Sequence, residues 1–334
     1  MSTRKVTLIN GDGIGPEVVD ATRRVLEALK APLEFEYQDA GAEVSNKYGT
    51  NLPNTTVESV MRNTVGLKGP TATGIGGGQQ SANVGLRKRL DLFASLRPVR
   101  SVPGVKTRYE NIDLVVVREN TEDLYSGIEH IVVPGVVESL KIITEKASTR
   151  ICRFAFEYAV EKKRKKVSAV HKANIMKLSD GLFLDCFRKV AREFPQVQAE
   201  EVIVDNLCMQ LVRNPERYDV MVMENLYGDI VSDLCAGLVG GLGVVPGANI
   251  GAGCAVFEAV HGTAPDIAGK GLANPTALLL SAVMMLDWLQ LPDHASRLQR
   301  SLHRVYSDGR SRTRELGGEA NTADFTKAVI DALG

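Results

Sequence analysis

Val6-Thr7-Leu8-Ile9-Asn10-Gly11-Asp12-Gly13-Ile14-Gly15-Pro16 runs from a short apolar segment through a glycine turn to a helix start. The first four residues are β-branched or apolar, as in a buried strand. Glycine supplies the turn, and proline suits the first turn of a helix, where its missing N–H is not needed. Val18, Val19, Ala21, Val25, Leu26 and Leu29 then fall on one side of that helix. The turn is spaced G-x-G-x-G, whereas a Rossmann dinucleotide loop needs G-x-G-x-x-G. Pro16 and Glu17 also stand where a pyrophosphate needs bare backbone N–H groups. The stretch reads as a structural turn of an α/β protein.

Strand and helix signals alternate along the rest of the chain. Residues 114–117, 167–170, 202–204 and 220–223 read as strands, and 148–161 and 179–193 as helices. The last hundred residues read as mostly helical, apart from glycine-rich turns between 240 and 253. A length of 334 residues suggests about two domains. No linker rich in proline or serine divides them, so the chain is expected to cross between domains more than once.

Lysine and arginine number 40, as do aspartate and glutamate, so the formal charge is zero. That balance argues against a nucleic-acid partner and against a basic membrane anchor. The most apolar run, 277–286, is about half the length that spans a bilayer. Cys152, Cys186, Cys208, Cys235 and Cys254 are odd in number, widely spaced and lack a C-x-x-C pair. This pattern fits a reducing compartment better than a disulfide framework. With no signal-peptide core in sight, the expected location is cytoplasmic. The basic run 162–166 reads as the solvated end of a helix, where the dipole favours cations.

Asp229 and Asp233 are four residues apart, which on a helix puts both carboxylates on one face. Hard oxygen donors in that spacing suit Mg²⁺ or Mn²⁺, and they equally suit a helix start decorated with acid. Asp205, at the end of the 202–204 strand, is a candidate third carboxylate. Arg87, Arg97 and Arg118 accompany Ser81 and Asn83. They fit a small molecule with several carboxylates, or structural salt bridges. Lys172 follows a strand, and a lysine near carboxylates can serve as a base. An ordinary surface lysine has the same signature.

Taken together, residues 81–100, 118–125, 171–177, 225–233 and 261–274 resemble the β-decarboxylating dehydrogenases of isocitrate, 3-isopropylmalate and homoisocitrate. The resemblance begins at Asn10 and covers essentially the whole chain. Residues 119–122, 125–130, 225–229 and 261–269 are most similar to the NAD-dependent isocitrate branch. The resemblance implies an α/β isocitrate/isopropylmalate dehydrogenase-like fold, distinct from the Rossmann fold. It implies a large domain (1–96 and 240–334, cofactor side), a small domain (97–239, metal and dimer interface) and an active-site cleft between them. It also implies a homodimer or higher homo-oligomer with shared active sites.

By the same resemblance, Arg87, Arg97 and Arg118 hold substrate carboxylates, and Ser81 and Asn83 contact the extra carboxylate of isocitrate. Asp229 and Asp233, with Asp205 of the partner subunit, match the ligands of Mg²⁺ or Mn²⁺. Tyr125 and Lys172 of the partner subunit match the acid–base pair. Thr73, Asn174, His261, Gly262, Thr263, Ala264, Pro265, Asp266, Ile267 and Asn274 match the cofactor positions. The glycine-rich stretch 73–78 corresponds to a loop beside the nicotinamide. The implied reaction is oxidative decarboxylation of isocitrate to 2-oxoglutarate and CO₂. Asp266 can accept hydrogen bonds from ribose hydroxyls and would repel a 2′-phosphate, which points to NAD. Ala72 and Gln79-Gln80 depart from the family pattern. Polar Ser81 and Asn83 argue against an isopropyl pocket. An intact set of acids argues against a non-catalytic regulatory subunit.

Overall fold

The structure, a computed structural model, describes residues 3–74 and 81–334. Residues 75–80, which hold most of the stretch expected beside the nicotinamide and also Gln79-Gln80, lie outside the described residues. Two compact units are present: Met1–Leu92 with Ser101–Glu110 and Val239–Gly334, and Phe93–Arg100 with Asn111–Leu238. The expected divide at 96/97 falls inside the Ala94–Arg100 strand.

Strands of the described residues are, in chain order, β1 (Arg4–Ile9), β2 (Leu33–Gln38), β3 (Val65–Lys68), β4 (Ala94–Arg100), β5 (Asp113–Glu119) and β6 (Glu129–Val133). There follow β7 (Val136–Ser139), β8 (Lys166–His171), β9 (Gln198–Ile203), β10 (Val220–Met223), β11 (Pro246–Ile250) and β12 (Ala255–Ala259). In the first unit they run in the order β2-β1-β3-β12-β11, parallel except for the β11–β12 pair. The second unit has the order β4-β5-β10-β8-β9, parallel except for β4–β5. A separate antiparallel hairpin joins β6 to β7. The fold is mixed α/β, with the buried apolar strands that parallel pairing demands.

The turn after β1 is held by one carboxylate. Asp12 accepts the backbone N–H groups of Ala42 at 2.9 Å, Glu43 at 3.0 Å and Ala72 at 2.6 Å. Gly11 has φ +73°, and a Cβ there would stand 2.1 Å from the Pro70 carbonyl oxygen. Only glycine satisfies both the left-handed backbone and that close approach.

The turns expected between 240 and 253 include a strand, β11, paired with β12 at one end of the first unit's strand order. Small residues hide it: Gly247 and Ala248 show no alternation, because β11 is buried throughout. Helix Thr276–Trp288 packs on both strands, and Ser281 donates to the Glu258 carbonyl while accepting from Gly247 N–H. This helix is the apolar run noted above. It is buried on nearly every side, and no described helix is long and apolar enough to cross a membrane.

In the second unit, β9 ends at Ile203, so Asp205 sits in the first turn of helix Val204–Arg213 and not at a strand end. Leu207 and Leu211, four apart and buried, carry the helical period that begins there. Helix Glu145–Glu161 is capped by the Thr144 hydroxyl, which accepts from Ala147 N–H. Its Phe156 packs on Phe187 and stacks with Phe194. The basic run beyond it is only partly solvated. Arg164 pairs with Asp113 and Asp219, and Lys166 bonds the Arg217 carbonyl and pairs with Glu200. Two of its five cations therefore tie the helix end to the sheet.

Candidate active site

Helix Asn225–Leu238 and strands β4 and β5 bring the acids and two of the arginines together. Arg118, near the end of β5, is 1% exposed. Its Nε and Nη2 donate to Asn225 Oδ1 at 3.0 and 2.7 Å, and Nη1 donates to the Asp229 carboxylate. The helix lies directly on the arginine stem: a Cβ on Gly228 would meet Arg118 Cγ at 2.4 Å. Arg97 on β4 donates to Ser232 and stands 3.8 Å from Asp229 and 3.6 Å from Asp233. The two aspartates therefore share one helix face, one turn apart, against two guanidiniums.

Tyr125 completes the cluster. Its hydroxyl donates to Asp229 Oδ2 at 2.5 Å, and the Arg118 guanidinium lies 5.0 Å from its ring centre. Partial burial, and then the bond to Asp229, raise the phenol above its ordinary value against the pull of Arg118. A phenol so raised keeps its proton at neutral pH. Partial burial also raises the Asp233 carboxyl; Arg97 opposes this and the neighbouring Asp229 adds to it. Such a carboxylate gains from an added positive charge. The donor chemistry fits a hard divalent cation held by Asp229 and Asp233.

Lys172 stands just after β8, and its ammonium donates to Asp205, whose carboxyl is thereby held low. Within one chain Asp205 thus belongs with Lys172. Among the described residues, no three acids, histidines or cysteines gather as a metal site. Behind Lys172 lies a buried group that the sequence did not reveal. Asp180 accepts the Lys172 backbone N–H at 2.6 Å, and Lys141 pairs with both Asp180 and Glu224. Burial pushes Glu224 up to about 8 despite Lys141. The signal available was weak: Glu224 directly precedes the helix that carries Asp229.

The remaining expected residues lie mostly in the first unit. Ser81, before helix Ala82–Arg89, bonds the Thr73 hydroxyl at 3.0 Å, and Asn83 Oδ1 accepts from Thr71 at 3.0 Å. Arg87 is buried 3.4 Å from Glu258 on β12, and its Nε is buried with no partner among the described residues. Glu258 also receives Lys68 and Asn249, each at 2.7 Å. Burial alone would raise Glu258, but Lys68 and Arg87 reverse this and hold it at about 2.

The His261 ring donates from Nδ1 to the Gly262 carbonyl at 3.0 Å, while Nε2 is buried and has no partner among the described residues. Burial lowers its pKa, so the ring is neutral. The Thr263 carbonyl accepts Ile14 N–H at 2.9 Å, which ties this block to the glycine turn. Ala264 holds a left-handed φ of 38°, and Pro265 and Asp266 are exposed beside half-buried Ile267. Asn274 lies in the same unit as the His261 block. Its side chain is buried, donating to Glu315 and Tyr306 and accepting from Thr276 N–H, so only its backbone is left for a cofactor. Asn174 is exposed on the loop after β8, in the other unit from the His261 block.

Residues 5–329 match the family described as isocitrate/isopropylmalate dehydrogenase. The chain is 55% identical over 328 residues to isocitrate dehydrogenase [NAD] catalytic subunit 5, mitochondrial, of Arabidopsis thaliana, covering 98% of this chain and 88% of that one. It is 55% identical over 307 residues to the chloroplastic 3-isopropylmalate dehydrogenase of Solanum tuberosum, covering 92% and 86%. Among solved structures, isocitrate dehydrogenase from Methylococcus capsulatus superposes with a TM-score of 0.97 at 48% identity, covering 99% of each chain. The cytoplasmic expectation is overturned: the Arabidopsis relative is mitochondrial by name, as are further isocitrate dehydrogenase relatives of similar identity. The five free thiols fit any reducing compartment and could not distinguish one from another. By family match, identity and fold alike, the chain belongs to the isocitrate/isopropylmalate dehydrogenases.

Proposed function

We propose that the chain is an NAD-dependent, decarboxylating isocitrate dehydrogenase assisted by Mg²⁺ or Mn²⁺. The observation that carries this reading is the single helix face on which Asp229 and Asp233 meet Arg97, Arg118 and Tyr125. A bound divalent cation supplies Lewis acidity toward the hydroxyl and carboxylate of the substrate, and bound NAD supplies the hydride acceptor. The chain's own residues do the rest. Asp229 and Asp233 hold the cation. Arg97 and Arg118, and in the first unit Arg87, hold carboxylates so that the reacting bonds stay aligned. Lys172 takes the hydroxyl proton. Tyr125, neutral and hydrogen-bonded, returns a proton to carbon after CO₂ has left. Ser81 and Asn83 meet the carboxylate that distinguishes isocitrate.

For the cofactor, the exposed carboxylate of Asp266 suits ribose hydroxyls and repels a 2′-phosphate. The potato relative favours a second acid, 3-isopropylmalate. Purified chain assayed with isocitrate, homoisocitrate and 3-isopropylmalate tests the choice, with NAD or NADP and with Mg²⁺, Mn²⁺ or chelator. The expected result is NADH from isocitrate, a higher kcat/KM with NAD than with NADP, and loss of turnover with chelator. Turnover of 3-isopropylmalate alone refutes the substrate assignment. No turnover of any acid by the isolated chain favours a regulatory subunit.

The assembly belongs to the same proposal. Hairpin β6–β7 exposes Ile131 at 72% and Val137 at 64%, and Ile175, Leu178, Met209, Val212 and Ile230 are also exposed. A lone two-stranded hairpin with apolar side chains in water is marginal. A second copy of the chain covers it, and the same association carries Lys172 and Asp205 to the neighbouring subunit's Asp229.

A further inference from the structure

Lys141, Asp180 and Glu224 form a buried charged triad to which the mechanism above gives no task. Lys141 precedes helix Glu145–Glu161, Asp180 lies in the first turn of helix Ser179–Ala191, and Glu224 comes directly before helix Asn225–Leu238. The Asp180 side chain is 0% exposed. Its Oδ1 accepts from Lys141 Nζ at 2.6 Å and from the Ser179 hydroxyl at 3.2 Å. Its Oδ2 accepts the backbone N–H of Lys172 at 2.6 Å and the Tyr227 hydroxyl at 3.2 Å. The ammonium of Lys141 also reaches Glu224 and sits 4.6 Å from the Tyr227 ring centre.

One oxygen of Asp180 is thus locked to the lysine, and the other holds the main chain at Lys172. A buried ion triad is weak as a source of stability, since apolar side chains of the same volume serve the fold as well or better. What it does supply is direction. Fixing the Lys172 amide fixes its Cα–Cβ bond, and with it the region in which the ammonium can stand.

We propose that Asp180, itself held by Lys141, is a positioning residue that sets where the Lys172 side chain is delivered. The role in turnover rests on Lys172 acting as the base, as proposed above. Asp180→Asn keeps the shape but has one acceptor oxygen where the carboxylate has two, so either Lys141 or the Lys172 amide loses its partner. In Asp180→Asn the expected fall in kcat is about tenfold or more, with KM for NAD changed less than about twofold. In a Lys172→Ala background, the same substitution is expected to change kcat by less than about twofold, because residues acting through one another are not additive. A full, additive fall in that background overturns the proposal.

A readout independent of turnover separates this inference from the assigned reaction. Amide hydrogen exchange at Lys172 is expected to quicken in Asp180→Asn by about tenfold or more. Unchanged exchange overturns the proposal. Quickened exchange in a chain that does not oxidise isocitrate supports the brace while refuting the reaction. Should Asp180→Asn fail to fold, Lys141→Arg keeps the charge but shifts it, and the same pattern is expected at smaller size. Its absence there also overturns the proposal.

Discussion

At the scale of single residues, the cluster shows how neighbours assign a task to each side chain. Tyr125→Phe keeps the ring beside Arg118 but removes the hydroxyl that donates to Asp229. Its kcat is expected to fall about a hundredfold or more with little change in the KM for isocitrate, as steady-state kinetics would show. Gly228 has an ordinary backbone and is required by proximity alone, since an added methyl meets the Arg118 stem. Gly228→Ala is expected to cost about 1–3 kcal/mol in denaturant unfolding and to raise the KM for isocitrate. Asp266→Lys should lower kcat/KM for NAD without producing efficient use of NADP, because reversing one charge does not build a phosphate site. Asp229 and Tyr125 were both named as candidates from sequence, whereas Asn225, Gly228 and Ser232, although inside the 225–233 stretch that carries the resemblance, were given no role. Polar or small residues inside a helix carry no mark of what they will face.

At the scale of elements, β3 and β12 lie side by side and place Lys68 opposite Glu258, with Arg87 above them from helix Ala82–Arg89. The carboxyl of Glu258 is depressed from 4.5 to about 2 in the folded chain. Its contribution is therefore fully present above pH 4.5 and is lost as pH falls toward 2. A shift of this size is worth on the order of 3 kcal/mol. Glu258→Gln leaves two buried cations without their counter-ion, so stability at pH 7 should drop by about 3–5 kcal/mol. The variant should also show a flatter loss of stability between pH 4.5 and 2, measured by denaturant unfolding at pH 7 and pH 3. β11 and β12 were invisible to the reading that found β1, β5, β8 and β10. A strand of small residues buried on both faces has neither alternation nor a run of large apolar side chains to announce it.

At the scale of the whole molecule, the β6–β7 hairpin leaves Ile131, Val132, Val133, Val136 and Val137 exposed, apolar surface that the single chain does not cover. On the proposed assembly, replacing Ile131 and Val137 by lysine should convert it to single chains in sedimentation and reduce turnover with it. If the sites are shared as proposed, each subunit would then lose access to its neighbour's Lys172 and Asp205. Retention of the oligomer with full activity would count against shared sites.

By itself the sequence determined the local grammar: the strand–turn–helix start at Val6–Pro16, the periods of the longer helices, and the set of acids, arginines, tyrosine and lysine to which the proposed function gives the chemistry. Those features depend on steric and hydrophobic patterns within a few residues of one another. Which acid meets which base was decided only by tertiary structure. Arg118 and Asp229 are 111 residues apart in the chain, and Arg97 and Ser232 are 135 apart. Such partners meet because strand order and register carry them to the same place, and neither is written in the neighbourhood of any one of them.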